Sequence, residues 1–142
     1  MSDNASSTER CGGCQCGAAR YVVVGQPEQV LVCHCTACQK QSGSAFAVVA
    51  VVDKDAFRMT SGEVSRFAST AASGRARTGV FCTNCGSRLY HEIEWRPGKV
   101  SIRGGTFDDT NWLRPQVHLW TVRKQPWVII PENVVVFDTQ PE

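Results

Sequence analysis

Cys14-Gln15-Cys16-Gly17, near the start of the chain, and Cys82-Thr83-Asn84-Cys85-Gly86, well past its middle, decide how this sequence folds. A tetrahedral metal ion with metal–sulfur bonds near 2.3 Å holds its sulfurs about 3.8 Å apart. A Cys-x-x-Cys turn meets that spacing, and Gly86 tolerates the backbone angles that such a turn needs. Cys14 and Cys16 share one face of an extended segment but would lie about 7 Å apart on a straight strand, so the chain must kink there. The two segments predict one closed four-cysteine zinc site, which would connect the first strand of the fold to about the seventh strand.

A third group, Cys33-His34-Cys35-Thr36-Ala37-Cys38, has three cysteines within six residues. All three can reach one ion, and no fourth cysteine is clearly assigned to them. Three protein ligands and a vacancy are typical of catalytic zinc, whereas structural zinc is closed. Two alternatives remain open: the leftover Cys11 could close this site, or His34 could be a ligand. His34 points away from its two cysteine neighbours on any extended segment, which favours a packed or outer-sphere side chain.

Composition limits the class of protein. The chain has 142 residues, the size of one domain, with eight cysteines and a net charge of +2. Lys and Arg are scattered, so the clustered basic stripe of a nucleic-acid binder is missing. No stretch approaches the roughly 20 apolar residues of a membrane span, and the N-terminus lacks the apolar segment of a secretory signal. We therefore expect a cytoplasmic protein, in which closely spaced cysteines bind metal more often than they form disulfides.

The strand pattern predicts an all-β fold of short antiparallel strands with cysteine-bearing turns. Met1–Arg10 is polar and is predicted to be a disordered tail, followed by a single domain over residues 11–142. Ser61-Gly62 is predicted to be a hairpin turn, and Thr36–Gln41 one helical turn. The β-prone runs are Ala18–Val24, Gln29–Val32, Ser44–Val52, Phe57–Thr60, Val64–Phe67, Gly79–Phe81, Arg88–Trp95, Val100–Arg103 and Val117–Val122.

The cysteine spacing resembles that of the glutathione-dependent formaldehyde-activating enzyme family, which includes centromere protein V. The likeness runs from about Gly13 to Pro126-Trp127, nearly the whole domain. Beyond the three cysteine groups it includes Ser42-Gly43-Ser44-Ala45-Phe46, Gly105-Thr106-Phe107-Asp108-Asp109 and Pro115-x-x-His118. The cysteine pattern is the specific part of this resemblance.

The resemblance implies an Mss4-like β-tent with two zinc ions per chain. Cys14, Cys16, Cys82 and Cys85 would hold structural zinc, and Cys33, Cys35 and Cys38 would be the catalytic residues that hold catalytic zinc. The reaction implied is the addition of glutathione to formaldehyde, which gives S-hydroxymethylglutathione and is classed with the carbon–sulfur lyases. We expect between one and two bound zinc ions, a small thiol and an aldehyde as partners, and no membrane partner. A homodimer is left open.

The charge of the middle site is consistent with thiol chemistry. Zinc with three thiolates keeps one net negative charge and is a weaker Lewis acid than zinc held by neutral histidines, which disfavours metal-hydroxide hydrolysis. Such a site suits an incoming thiol, because metal coordination deprotonates it. The alternative function is a non-catalytic module with two structural zinc ions that binds protein or nucleic acid.

Several other residues are weaker candidates for the substrate site. Lys40, Arg88 and Arg103 could meet the carboxylates of glutathione, although each is more simply a solvated surface charge. Asp108 and His118 are candidate substrate-binding residues, with a turn aspartate and a packed strand histidine as the simpler interpretations. The four tryptophans are expected to lie in the core or in a pocket wall: Trp95, Trp112, Trp120 and Trp127.

Overall fold

A computed structural model describes residues 8–71 and 74–140 of the chain. These residues form eleven strands, one α-helix and three short 3₁₀ segments, and no helix among them is long and apolar enough to cross a membrane. The elements are β1 (Glu9–Gly13), β2 (Arg20–Val24), β3 (Gln29–Cys33), α1 (Thr36–Ser42), β4 (Ala47–Asp53), β5 (Phe57–Ser61), β6 (Val64–Thr70), β7 (Ala76–Cys82), β8 (Arg88–Ile93), β9 (Lys99–Arg103), β10 (Val117–Leu119) and β11 (Val135–Val136), with 3₁₀ turns at Lys54–Ala56, Gly104–Thr106 and Thr121–Arg123.

The strands make two sheets. A three-stranded antiparallel sheet has the order β1-β2-β5, and an eight-stranded sheet has the order β11-β10-β3-β4-β9-β8-β7-β6. The predicted all-β fold is confirmed, and most pairs are antiparallel as expected. The exception is β10, which runs parallel to both β3 and β11. It also ends earlier than predicted, because Trp120 adopts a left-handed φ of 59° and Thr121–Arg123 turns into a 3₁₀ segment.

Two local predictions need correction. The predicted hairpin at Ser61-Gly62 is wrong: β5 pairs with β2 in the small sheet, whereas β6 pairs with β7 in the large one. The chain crosses between sheets there, and Gly62 has a φ of 92° that few other residues tolerate. The predicted turn at Thr36–Gln41 extends to a seven-residue helix. β1 takes in Glu9 and Arg10 of the predicted tail, and Met1–Ser7 lies outside the described residues.

The main core lies between the two sheets. Tyr21 and Val23 of the small sheet are buried against Ile102, Val100 and Val80 of the large one. The phenol of Tyr21 reaches its partner, the hydroxyl of Thr106, at 2.7 Å, so its buried polar atom is satisfied. One face of the large sheet therefore packs in the main core, and the opposite face carries the side chains of the candidate site described below.

The second face of the large sheet carries apolar side chains on some strands and polar side chains on others. On β3 and β4 it carries Leu31, Cys33, Val49 and Val51, which are buried together. On β9, β8 and β7 the positions that follow in register are polar. Ser101 lies opposite both Val51 and His91, Arg103 lies opposite Val49, and Arg77 lies opposite Ile93. Because side chains alternate along a strand, these residues point to the same face as the cysteine of β3.

Candidate metal centre

Four cysteines meet where the two sheets come together. Cys14 and Cys16 lie in the turn between β1 and β2 of the small sheet. In the large sheet Cys82 ends β7, and Cys85 lies in the turn between β7 and β8. Gly17 and Gly86 follow the two turns with φ of 84° and 81°, the left-handed region expected from the sequence. All four sulfurs lie within 4.8 Å of one another. The sequence prediction that these segments share one cluster agrees with this placement.

Hydrogen bonds around this cluster suit thiolate sulfur. The Sγ atoms of Cys14 and Cys16 are 3.5 Å apart, and those of Cys16 and Cys82 are 3.9 Å apart, close to the spacing of sulfurs on a tetrahedral ion. The backbone N–H of Ala19 donates to Cys14 Sγ at 3.2 Å, and the Asn84 amide donates to Cys16 Sγ at 3.2 Å. Donors aimed at sulfur orient metal ligands and favour their charged form. The donor set therefore fits a zinc ion.

The second cluster is formed within a short piece of chain. Cys33 ends β3, Cys35 is the N-cap of α1, and Cys38 lies in the first turn of that helix. Their three sulfurs also lie within 4.8 Å of one another, and all three side chains are buried. The Sγ of Cys35 accepts from the backbone N–H of Cys38 at 3.3 Å, which is the usual capping contact made by sulfur instead of oxygen.

Three buried thiols this close together shift one another's pKa values. Hydrogen bonds from Cys33 and then Cys38 hold the pKa of Cys35 at about 2, whereas the hydrogen bonds to Cys35 and Cys38 raise the pKa of Cys33. One buried thiolate is thus supported by its neighbours, but three thiolates together would repel one another. A soft divalent ion such as zinc would remove that repulsion, so this donor set also fits the metal.

Neither alternative ligand joins the three cysteines among the described residues. Cys11 is exposed on β1, opposite Val22, and belongs to neither cluster. His34 is fully buried, but its Nε2 lies 2.9 Å from Nδ1 of His118, and the two rings stack with centroids 5.2 Å apart. Burial, followed by the nearby His118, lowers the pKa of His34 to about 4, and burial lowers that of His118. The pair is therefore neutral at pH 7.

A small cavity of about 50 Å³ lies directly beside the three cysteines. Its apolar wall includes Leu31 and Leu119, and Trp95 and Trp120 line it as well. Its polar lining includes Arg77, His91, Arg96, Ser101 and Arg103. This is the arrangement of a binding site: a mostly apolar enclosure with a few converging polar groups next to the reactive atoms.

The cavity wall corrects part of the sequence analysis. Arg103 was expected to be a solvated surface charge, but it is only 8% exposed, and its Nη2 donates to Gln41 Oε1. Arg77 and His91 escaped the sequence analysis altogether, at 7% and 3% exposed. The only possible signal was their position in the alternation of side chains along β7 and β8, which places them on the face with the cavity. Which face that is depends on the strand register, and the sequence does not show the register.

Five other residues considered in the sequence analysis do not line this cavity. Lys40 is exposed on α1, and Arg88 is partly buried with Nη1 3.1 Å from His91 Nε2. Asp108 is paired with Arg20 at 3.0 Å and does not line this cavity, so its role in substrate binding stays a prediction. Trp112 packs against the main core, whereas Trp127 is 70% exposed, contrary to expectation.

Comparison with known proteins agrees with the sequence pattern. A sequence model of the glutathione-dependent formaldehyde-activating enzyme family matches residues 9–123, a span that includes both clusters. A protein of Halomonas elongata, provisionally named a glutathione-dependent formaldehyde-activating enzyme, is 30% identical over 125 residues, covering 84% of this chain and 79% of that protein. A crystal structure of a Rhodobacter sphaeroides protein shares the fold with a TM-score of 0.57 at 18% identity, covering 72% of this chain and 91% of that one. The chain therefore belongs to the glutathione-dependent formaldehyde-activating enzyme family.

Proposed function

We propose that this protein is a zinc enzyme that adds a small, glutathione-like thiol to an aldehyde such as formaldehyde, a reaction of the carbon–sulfur lyase class. The observation that carries the proposal is the cluster of Cys33, Cys35 and Cys38, which has three sulfurs instead of four and borders a cavity. Three ligands beside a cavity are typical of catalytic zinc. Family membership and the name of the Halomonas relative support the choice of thiol and aldehyde.

In this proposal the two clusters have different tasks. Cys14, Cys16, Cys82 and Cys85 hold a structural ion, which joins the turns of two sheets. Cys33, Cys35 and Cys38 would hold the second ion, which, when bound, would deprotonate an incoming thiol. The capping hydrogen bond from the Cys38 N–H holds the sulfur of Cys35, and the three cysteines line the cavity, where the substrate would meet the ion.

A groove adjoins the cavity, so the site offers a separate place for each reactant. Cys35 and Trp120 border both the cavity and an open groove of about 330 Å³. Arg123 lines the groove and is exposed, so it could meet a carboxylate of the thiol. The cavity is too small for a tripeptide but accommodates an aldehyde. We assign the thiol to the groove and the aldehyde to the cavity.

His118 acts in this account as a positioning residue. It holds the ring of His34, the residue between two of the proposed ligands, through a buried hydrogen bond. A neutral pair fixes the start of α1 without adding charge beside the thiolates. His118 would thus affect substrate binding through the cysteine loop and not by direct contact.

The exchange of glutathione between its free and hydroxymethyl forms tests the proposal, because this addition is reversible and exchange NMR measures its rate. The zinc-loaded protein should accelerate the exchange with formaldehyde. Cys33→Ser should lose the acceleration, and Cys11→Ser, a matched change outside both clusters, should keep it. If the zinc-loaded protein gives no acceleration, or if Cys33→Ser accelerates equally, the enzyme proposal fails and the non-catalytic binding module becomes the better account.

A further inference from the structure

Unpaired hydrogen-bond donors are concentrated on the wall of the cavity beside Cys33, Cys35 and Cys38. Five of the eight buried side-chain N and O atoms that lack a partner within residues 8–71 and 74–140 belong to cavity-lining residues. They are Nε and Nη2 of Arg77, Nε of Arg103, Nδ1 of His91 and Nε1 of Trp95. Buried polar atoms are normally paired, so such a concentration calls for a ligand.

All five atoms are donors. Guanidinium and indole nitrogens can only donate. For His91 the tautomer follows from its neighbour: Nη1 of Arg88 can only donate, so Nε2 of His91, 3.1 Å away, must accept. A neutral imidazole that accepts at Nε2 carries its proton on Nδ1, the atom without a partner. These five unpaired donors fit a ligand that accepts several hydrogen bonds, and a carboxylate is a small organic group that does so without donating any.

The charge of the wall leads to the same class of ligand. Arg77 and Arg103 are less than a tenth exposed and bring two positive charges to the cavity, and Arg96 lines it as well. Zinc with three thiolates would offset only one of these charges. Arg103 has Gln41 as one partner, whereas both Nε and Nη2 of Arg77 lack one among residues 8–71 and 74–140. Because a buried charge without a partner is costly, an anion in the cavity would stabilise Arg77.

The size of the cavity limits that anion. Its volume is about 50 Å³, and one water needs roughly 10–15 Å³ on this measure, so there is room for about four waters. This is enough for a carboxylate with one or two further heavy atoms, and too little for the body of glutathione. A short molecule that carries both the anion and the reacting carbon fits this volume.

We propose that the aldehyde accepted by this site carries a carboxylate on the carbon next to its carbonyl, as glyoxylate does, and that Arg77, Arg103 and His91 bind that carboxylate. The substrate part of this inference rests on the function proposed above, whereas the anion site itself does not. In the reaction a new S–C bond forms between the thiol sulfur and the aldehyde carbon. The C=O double bond becomes a C–O single bond, the thiol proton ends on that oxygen, and no oxidant or reductant is needed. The carboxylate is unchanged.

Binding is tested first, without catalysis. Glycolate has the same carboxylate and no aldehyde, and ethylene glycol lacks the charge. Both are titrated into the zinc-loaded protein with tryptophan fluorescence as the signal, because Trp95 and Trp120 line the cavity. Glycolate should bind and ethylene glycol should not. Arg77→Met and the milder Arg77→Lys should weaken glycolate binding about tenfold or more, because each loses a charge-assisted hydrogen bond.

Arg66→Met is the matched control, because Arg66 lies on the adjacent strand in an exposed ion pair with Glu92. It should leave glycolate binding unchanged. If glycolate binds no better than ethylene glycol, or if it binds equally well to Arg77→Lys, the anion site is refuted. Arg77→Lys keeps a positive charge in place, so if Arg77→Met fails to fold, glycolate binding to Arg77→Lys tests the anion site.

The exchange assay then separates this inference from the proposed function. Glyoxylate should be converted faster than formaldehyde at equal concentration, and Arg77→Lys should reduce the rate with glyoxylate more than the rate with formaldehyde. Acceleration with formaldehyde and none with glyoxylate would overturn the substrate class and leave the proposed function standing. Glycolate binding without acceleration of any aldehyde would support the anion site and refute the enzyme.

Discussion

His34 Nε2 and His118 Nδ1 lie 2.9 Å apart in a fully protein-lined environment, joining the loop of Cys33 and Cys35 to strand β10. The backbone N–H of His34 also donates to Leu119 O at 3.0 Å on the same strand, so two hydrogen bonds connect the cysteine loop to β10. The parallel pairing of β10 with β3 is what brings these two histidines together.

The first prediction concerns this pair. Replacing His118 with Phe removes the partner of His34 and leaves a buried imidazole nitrogen unsatisfied, which should cost about 1–3 kcal/mol of unfolding free energy. Urea unfolding of His34→Phe, His118→Phe and the double variant measures the coupling between the two residues. We expect about 1 kcal/mol of coupling. Additive losses would show that the hydrogen bond contributes nothing of its own.

The second prediction concerns the four-cysteine cluster. Cys82→Ser should destabilise the protein by at least about 3 kcal/mol or abolish cooperative unfolding, because structural zinc contributes directly to folding. The cluster joins residues 66 positions apart in two different sheets, Cys16 and Cys82, so its loss frees a long loop. Thermal unfolding with metal analysis measures the effect, and Cys11→Ser is the control. Zinc-free protein with an unchanged melting temperature in Cys82→Ser would refute a structural site here.

The third prediction concerns the open cluster. Cys35→Ser should fold, keep one zinc ion and lose the other, with a stability loss of about 1 kcal/mol. The three ligands lie within six residues, so little chain entropy is involved. Serine also preserves the N-cap of α1, because its oxygen can accept from the Cys38 N–H as the sulfur now does. A loss as large as that of Cys82→Ser would show that the structural and catalytic roles are assigned to the wrong clusters.

The cysteine pattern predicts the two clusters well, because the geometry of a metal site restricts the spacing of its ligands along the chain. That spacing therefore indicates which cysteines lie close together. The sequence alone was enough to assign four cysteines to one cluster: Cys14, Cys16, Cys82 and Cys85. The β-prone runs located nine of the eleven strands of the described residues. The pairing of those strands was not in the pattern. The residues on both sides of Ser61-Gly62 look like a hairpin, yet β5 pairs with β2 and β6 pairs with β7, in different sheets.

The cavity wall was beyond the sequence for a related reason. Arg77, His91 and Arg103 stand on three strands and face one cavity only because β7, β8 and β9 pair in one particular register. A single arginine in a strand is usually a surface residue, so each looked ordinary by itself. Their common direction is a tertiary property, and burial with unpaired donors is what distinguishes them from ordinary strand residues.

The fourth prediction is a pH effect at His91. Burial, then the charges of Arg103, Arg88 and Arg77, lowers the pKa of this buried imidazole to about 2. In the unfolded chain the same group titrates near 6.5. Between these values the unfolded state binds the extra proton, so stability is lost as pH falls below about 6.5, by up to about 1.4 kcal/mol per pH unit.

Comparison with His91→Gln isolates this contribution from acid release of metal, which both proteins share. Chemical denaturation between pH 7 and pH 5 should show the wild type losing more stability than His91→Gln, by about 2 kcal/mol at pH 5. Parallel curves for the two proteins would mean that His91 is not held neutral by its surroundings.

The binding of glutathione to the zinc-loaded protein, measured by calorimetry at pH 7 in two buffers of different ionisation heat, tests the central claim most directly. A free thiol is mostly protonated at that pH, so binding as thiolate must release a proton. We predict release of about one proton per glutathione in the wild type and in Cys11→Ser, and none in Cys35→Ser. Binding with equal heat in both buffers, or no binding at millimolar glutathione, would contradict the account.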